Sequence, residues 1–107
     1  MKQDHDHYDF HFLICTNEKP LGECCAKKGS QKLVEELKPW LKGELKAQNK
    51  FGKGRVNKSG CLGRCGEGIA CVSYPSGEWL TDVKVDEVDK IKDWIREELK
   101  KIPPNEN

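Results

Sequence analysis

Six of the 107 residues are cysteine, in two groups: Cys15, Cys24 and Cys25, then Cys61, Cys65 and Cys71. Four of them, spaced Cys15-x9-Cys25 and Cys61-x3-Cys65, fall in glycine-rich loops at the ends of strand-like segments. Soft thiolates converging from such loops suit zinc or iron–sulfur chemistry. No catalytic acid–base set accompanies them. No histidine stands in a recognisable order with cysteine, serine and carboxylate, and no glycine-rich phosphate loop ends in Gly-Lys-Ser. A thiol oxidoreductase needs a Cys-x2-Cys dithiol with one depressed pKa, and the Cys61-x3-Cys65 pair is one residue too long.

The spacing separates the possible metals. Structural zinc sites usually show paired Cys-x2-Cys knuckles, and neither group has them. The compact four-cysteine run of [4Fe–4S] ferredoxins and the Cys-x4-Cys-x2-Cys run of plant-type [2Fe–2S] ferredoxins are also absent. A two-plus-two set from distant loops remains, which suits a rhombic [2Fe–2S] cluster because each iron takes two thiolates. Such a cluster is anionic, and backbone N–H groups near its sulfurs stabilise that charge and tune its potential. Gly60, Gly63, Gly66 and Gly68 on one loop, and Gly22 and Gly29 on the other, allow that approach. A structural zinc or metal-sensing module using the same cysteines is the alternative; it would be colourless.

These loops need strands and helices to position them. Residues 8–15 alternate early, with Phe10, Phe12 and Ile14 on one face and His11, Leu13 and Cys15 on the other, as in a central strand. Residues 16–29 read as loop. Ser30 can cap a helix to about residue 45, with Leu33, Leu37, Trp40, Leu41 and Leu45 as its apolar stripe and a kink or break expected at Pro39. Residues 55–59 form a weak strand. Four glycines in residues 60–68 require a loop. Residues 69–74 and 78–83 make a hairpin around Pro75-Ser76-Gly77. Asp86 caps a last helix striped by Val88, Ile91, Ile95, Leu99 and Ile102, which Pro103-Pro104 stops. The order β-α-β-β-β-α, with a parallel β-α-β unit before a hairpin, predicts an α/β thioredoxin-like sandwich with a mixed central sheet. One domain is expected over 8–102, between a flexible tail at 1–7 and a C-terminal tail at 103–107.

Charge and hydropathy narrow the setting. Lysine and arginine total 19 against 18 acidic residues, so there is no broad cationic field of the kind nucleic-acid binders carry. No stretch approaches the ~18 continuous apolar residues of a membrane span, and residues 1–8 lack the apolar core of a secretory signal. A cytoplasmic location follows as the expectation, and there reduced thiols favour metal ligation over disulfides.

Several motifs in order now carry a resemblance. Cys15-Thr-Asn-Glu-Lys-Pro, Cys25-Ala-Lys-Lys-Gly-Ser, Gly60-Cys-Leu-Gly-Arg-Cys65, Val72-Ser-Tyr-Pro-Ser-Gly-Glu-Trp79 and Val85-Asp-Glu-Val-Asp-Lys-Ile91 resemble the thioredoxin-like [2Fe–2S] ferredoxins, over roughly residues 8 to 100. That family is related to the iron–sulfur subunit of respiratory NADH dehydrogenases. The resemblance implies a one-electron carrier rather than an enzyme, one [2Fe–2S] cluster held by Cys15, Cys25, Cys61 and Cys65, redox partner proteins (a reductase or acceptor enzyme), and a homodimer. It places Cys25 rather than Cys24 as ligand, and side chains of adjacent residues in an extended segment point apart.

The remaining residues have plain readings. Cys71 lies in an apolar strand and acts as a small hydrophobe. His5 and His7 sit in the tail and His11 is mid-strand, so a Rieske-type role is not expected of them. Trp40 and Trp79 are packing residues, and Trp94 lies at the edge of the last helix's stripe, where copies of the chain would meet. Lys19, Lys27, Lys28, Lys58 and Arg64 flank the ligand loops, either as ordinary solvated surface or as a collar steering an acidic partner.

Overall fold

A computed structural model describes residues 1–4, 7–18 and 24–106, without the Cys65 side chain. The expectations placed on His5, Lys19, Pro20 and Gly22 lie outside these residues. Strand β1 (Phe10–Cys15) is followed by helix α1 (Ser30–Ala47), strands β2 (Gly54–Ser59), β3 (Cys71–Tyr74) and β4 (Trp79–Leu80), and helix α2 (Val88–Leu99). The order is β-α-β-β-β-α, as the alternation and stripes predict. The sheet runs β2-β1-β3-β4. β1 pairs with β2 in parallel and with β3 antiparallel, so the sheet is mixed.

One core forms between the sheet and the helices. Phe10, Phe12 and Ile14 of β1 meet Leu33, Leu37, Leu41 and Leu45 of α1 and Ile91, Ile95 and Leu99 of α2 in a single buried cluster. Directly paired residues share a sheet face. Ile14 opposite Cys71, and Cys71 opposite Leu80, therefore face the helices. Leu13, Val72 and Trp79 lie on the other side, so both helices cover one face of a two-layer molecule.

Four local expectations are corrected. Ser30 does not cap α1; it is the first helical residue, and Gly29, at φ 93°, occupies the cap without a side-chain bond. The helix also runs unbroken through Pro39. Pro39 and Glu35 both lie on the exposed face, where the carbonyl left without its donor is solvated, while buried Leu37 and Leu41 anchor both sides. The strand expected over 78–83 shrinks to Trp79–Leu80. Asp86 does not cap α2 but lies in a 3-10 turn, Val85–Glu87, that leads into it, where the Lys84 N–H donates to the Glu87 carboxylate at 2.9 Å.

The far end of the molecule is tied by polar bonds. The buried Lys50 donates through Nζ to the Leu99 carbonyl at 2.7 Å, closing the end of α2. Asn105 N–H donates to the Asn49 carbonyl at 2.7 Å, and Lys53 Nζ donates to the Pro103 carbonyl at 2.7 Å.

Candidate metal centre

The topology explains why distant cysteines share one end of the sheet. In the parallel β1–β2 pair, Cys15 is level with Ser59, so Cys15 and the Gly60–Cys61 loop leave the same edge. β3 runs the other way and begins there, with Cys71 opposite Ile14. The exit is pinned by backbone bonds: Cys15 N–H donates to the Ala70 carbonyl at 3.1 Å and Thr16 N–H to the Ser59 carbonyl at 3.0 Å.

Cys25 reaches this edge through a tight turn before α1. Ala26 N–H donates to Asn17 at 3.2 Å, and the Cys25 carbonyl accepts from Lys28 N–H at 3.1 Å and Ser30 N–H at 3.2 Å. Its thiol lies 3.7 Å from the Gly68 carbonyl on the second loop. Cys15 and Cys25 form a buried cluster of their own, with Leu62 packed against it. Leu62 is the neighbour of Cys61, so the second loop lies over the first pair. Cys61 itself is exposed, and its Sγ accepts the Gly63 N–H at 3.3 Å; Gly63 takes φ 82° there.

The structure thus brings Cys15 and Cys25 into contact and lays the Cys61 loop over them. The backbone of Cys65 opens a 3-10 turn, Cys65–Glu67; its side chain is outside the description. Among the described residues, no three histidine, cysteine or carboxylate side chains gather as a ready-made metal cage. Cys24 is also fully buried. Cys71 lies in the apolar core, as read from sequence. Burial pushes its thiol up to about 12, with the neighbouring Cys25 and Cys15 adding to the rise. Cys71 is therefore a protonated neighbour of the buried pair, a proximity that strand periodicity does not reveal.

The donor set fits a sulfur-rich group. Two thiols are already buried in contact, and soft sulfur donors of this kind suit iron or zinc. The Ser30 hydroxyl, beside the Cys25 turn, is buried with no hydrogen-bond partner among the described residues, although buried hydroxyls are normally paired. The N-terminus of α1, with its partial positive charge, follows Cys25 after the 3-10 turn Ala26–Lys28 and Gly29.

A third segment, residues 82–85, braces both loops. A Cβ on Gly29 would lie 2.7 Å from Val85 Cγ2, and one on Gly68, at φ 120°, would overlap the Asp82 backbone. Asp82 N–H donates to the Glu67 carbonyl, and Val83 N–H to that of Ile69 at 3.2 Å. These two glycines make room for that bracing segment. Of the basic residues flanking the loops, Arg64 bonds Glu67 and the charge of Lys28 reaches Asp82.

His11 remains outside this edge, with Nε2 3.1 Å from Asn57 Nδ2. Trp40 lies under the cations of Lys92 and Arg96, 5.6 and 5.2 Å from its ring centroid. Trp94 packs 5.9 Å from Phe12, ring to ring.

Comparison with known proteins follows this geometry. No family model matches the chain. A [2Fe–2S] ferredoxin of Clostridium pasteurianum is 33% identical over 85 residues, 76% of this chain and 78% of that protein. One of Aquifex aeolicus is 27% identical over 84 residues, 76% of this chain and 73% of that protein. The solved wild-type thioredoxin-like [2Fe–2S] ferredoxin from Aquifex aeolicus matches with a TM-score of 0.66 and 26% identity, over 91% of each chain. With cysteines gathered at one sheet edge of this fold, and these relatives covering most of its length, the chain belongs to the [2Fe–2S] ferredoxins of thioredoxin-like fold.

Proposed function

We propose that this chain is a one-electron carrier that holds one [2Fe–2S] cluster through Cys15, Cys25, Cys61 and Cys65. The observation that carries this reading is the buried Cys15–Cys25 contact beneath the Cys61 loop, in a member of the ferredoxin family. A bound cluster supplies a single one-electron couple. The chain's own residues do the rest. Buried Cys15 and Cys25 would hold the group away from water, and exposed Cys61 would bring its ligand to the surface, within reach of a redox partner. The Gly63 N–H donates to the Cys61 sulfur, and such bonds stabilise thiolate charge and raise the potential.

Membership of the ferredoxin family supports a carrier with redox partner proteins rather than an enzyme. Further parts of the same reading are a single domain over residues 8–102, a cytoplasmic location and a homodimer. The helix-free sheet face, where Leu13 and Trp79 are partly exposed, supports pairing of two copies. Among the described residues, no helix is long and apolar enough to cross a membrane.

The test is anaerobic purification followed by visible spectroscopy, paramagnetic resonance after dithionite, and iron and sulfide analysis. Two irons and two sulfides per chain are expected. Cys25→Ser should abolish or reshape the spectrum, while Cys24→Ser should leave it unchanged. A folded, colourless, zinc-bearing protein would overturn the reading.

A further inference from the structure

The residue between the second pair of cysteines does something that the ligand set does not require. The Arg64 guanidinium forks onto Glu67, Nε to Oε2 at 2.5 Å and Nη2 to Oε1 at 2.7 Å. Its Cζ also lies 4.9 Å from the Trp79 ring centroid. Trp79 belongs to β4, opposite Val72 on the helix-free face. Glu67 closes the 3-10 turn that Cys65 opens, its N–H donating to the Arg64 carbonyl at 3.0 Å. The same turn is held from behind, since the Glu67 carbonyl accepts from Asp82 N–H.

Single exposed ion pairs contribute little, but a two-pronged arginine–carboxylate fork with a stacked ring is the geometry in which they count. The side chain of Arg64 spans from the ligand loop to the hairpin, and no other described side chain between Cys61 and Glu67 does so with a charged group.

We infer that Arg64 is a positioning residue: stacked on Trp79 and forked to Glu67, it clamps the Cys61–Cys65 loop onto the β3–β4 hairpin and so slows release of the bound group. This rests on the cluster reading, because a clamp on that loop matters only if the loop holds iron. The stack needs a flat cation and the fork needs two parallel donors, so lysine cannot replace arginine here.

The experiment compares the holoprotein with Arg64→Gln, Arg64→Lys, Trp79→Leu and the Arg64→Gln/Trp79→Leu double variant. Iron release to an excess of EDTA is followed by the visible bands, alongside the resonance g values of the reduced form and the thermal midpoint of the iron-free chain. Arg64→Gln and Trp79→Leu should each speed iron release by about tenfold or more, as loss of an outer partner of a metal ligand does. Both should alter the g values, and the double variant should release iron no faster than the faster single, because the two residues form one clamp. Arg64→Lys should behave like Arg64→Gln, with the iron-free midpoint unmoved.

Full rescue by lysine would replace the clamp with simple charge, and unchanged release in both single variants would overturn it. A lowered iron-free midpoint that accounts for the release would make the residue structural only, which also overturns it. Wild-type protein that never carries iron would instead defeat the cluster reading, a separate result.

Discussion

The Ser30 hydroxyl is buried without a partner among the described residues, while the same residue's N–H is committed to the Cys25 carbonyl. An unpaired buried polar group costs roughly 1–3 kcal/mol, and its replacement by an apolar one recovers part of that. A sulfur-rich group held beside the Cys25 turn would offer the hydroxyl an acceptor. The sign of a substitution then depends on what is bound. Ser30→Ala should stabilise the iron-free chain by about 1 kcal/mol in urea titration and give no gain, or a loss, in the loaded chain. Equal stabilisation in both forms would mean that the hydroxyl never meets the bound group. The sequence marks Ser30 as a helix start but misplaces its role by one position: at φ 93°, Gly29 takes the cap and frees the serine side chain.

At the scale of elements, the two ligand loops are held by residues 82–85 more than by their own sequence. Gly68 shows this most sharply, because a methyl group there meets the Asp82 backbone at a φ of 120°. Strain of that kind costs about 1–3 kcal/mol before any relaxation. Gly68→Ala should therefore lower the thermal midpoint and the iron content per chain together. Gly60→Ala, which meets nothing within 4 Å, should leave both near the wild-type values. A Gly68→Ala protein with full iron and an unshifted melt would show that the brace is dispensable.

This contrast also marks what could be read from the chain. The alternation of Phe10, Phe12 and Ile14 and the stripe of Leu33, Leu37, Leu41 and Leu45 are local, repeating signals, and the structure buries each of these side chains. The reach of Asp82 to Gly68, of Val85 to Gly29 and of Trp79 to Arg64 joins segments with no shared period. Nothing local in the sequence announces such contacts. Pro39 was misread for a related reason. Its effect is set by which face it occupies, and tertiary burial of Leu37 and Leu41 outweighs one missing bond. The four proposed ligands were singled out by residue type and spacing together. The proximity of Cys71 to Cys15 and Cys25 is a product of antiparallel pairing alone.

Seen whole, the molecule is unevenly stabilised. The core joins one sheet face to two helices, and the far end is tied through Lys50 to Leu99 and through Asn105 to Asn49. The cysteine edge has a small apolar cluster of its own, Cys15 and Cys25 with Leu62 above, and two loops with little else between them. Regions so poor in buried contacts open locally while the rest stays folded. A group that binds only the closed loops then stabilises the native chain by mass action, about 2.7 kcal/mol when its free concentration is a hundred times its dissociation constant. Removing iron should accordingly lower the thermal midpoint by roughly 10 °C or more, since 1 kcal/mol shifts a chain of this size by about 4–8 °C. The loss should be local when amide exchange is mapped by mass spectrometry. Segments 24–29 and 60–70 should exchange faster by about two orders of magnitude, that energy converted to an opening constant. The amides of Phe12, Ile14, Leu37 and Ile95 should keep their protection, because their contacts belong to the core and not to the loops. Uniform loss of protection across core and loops would instead mean that the bound group supports the entire fold, and that sheet and helices have no stability of their own.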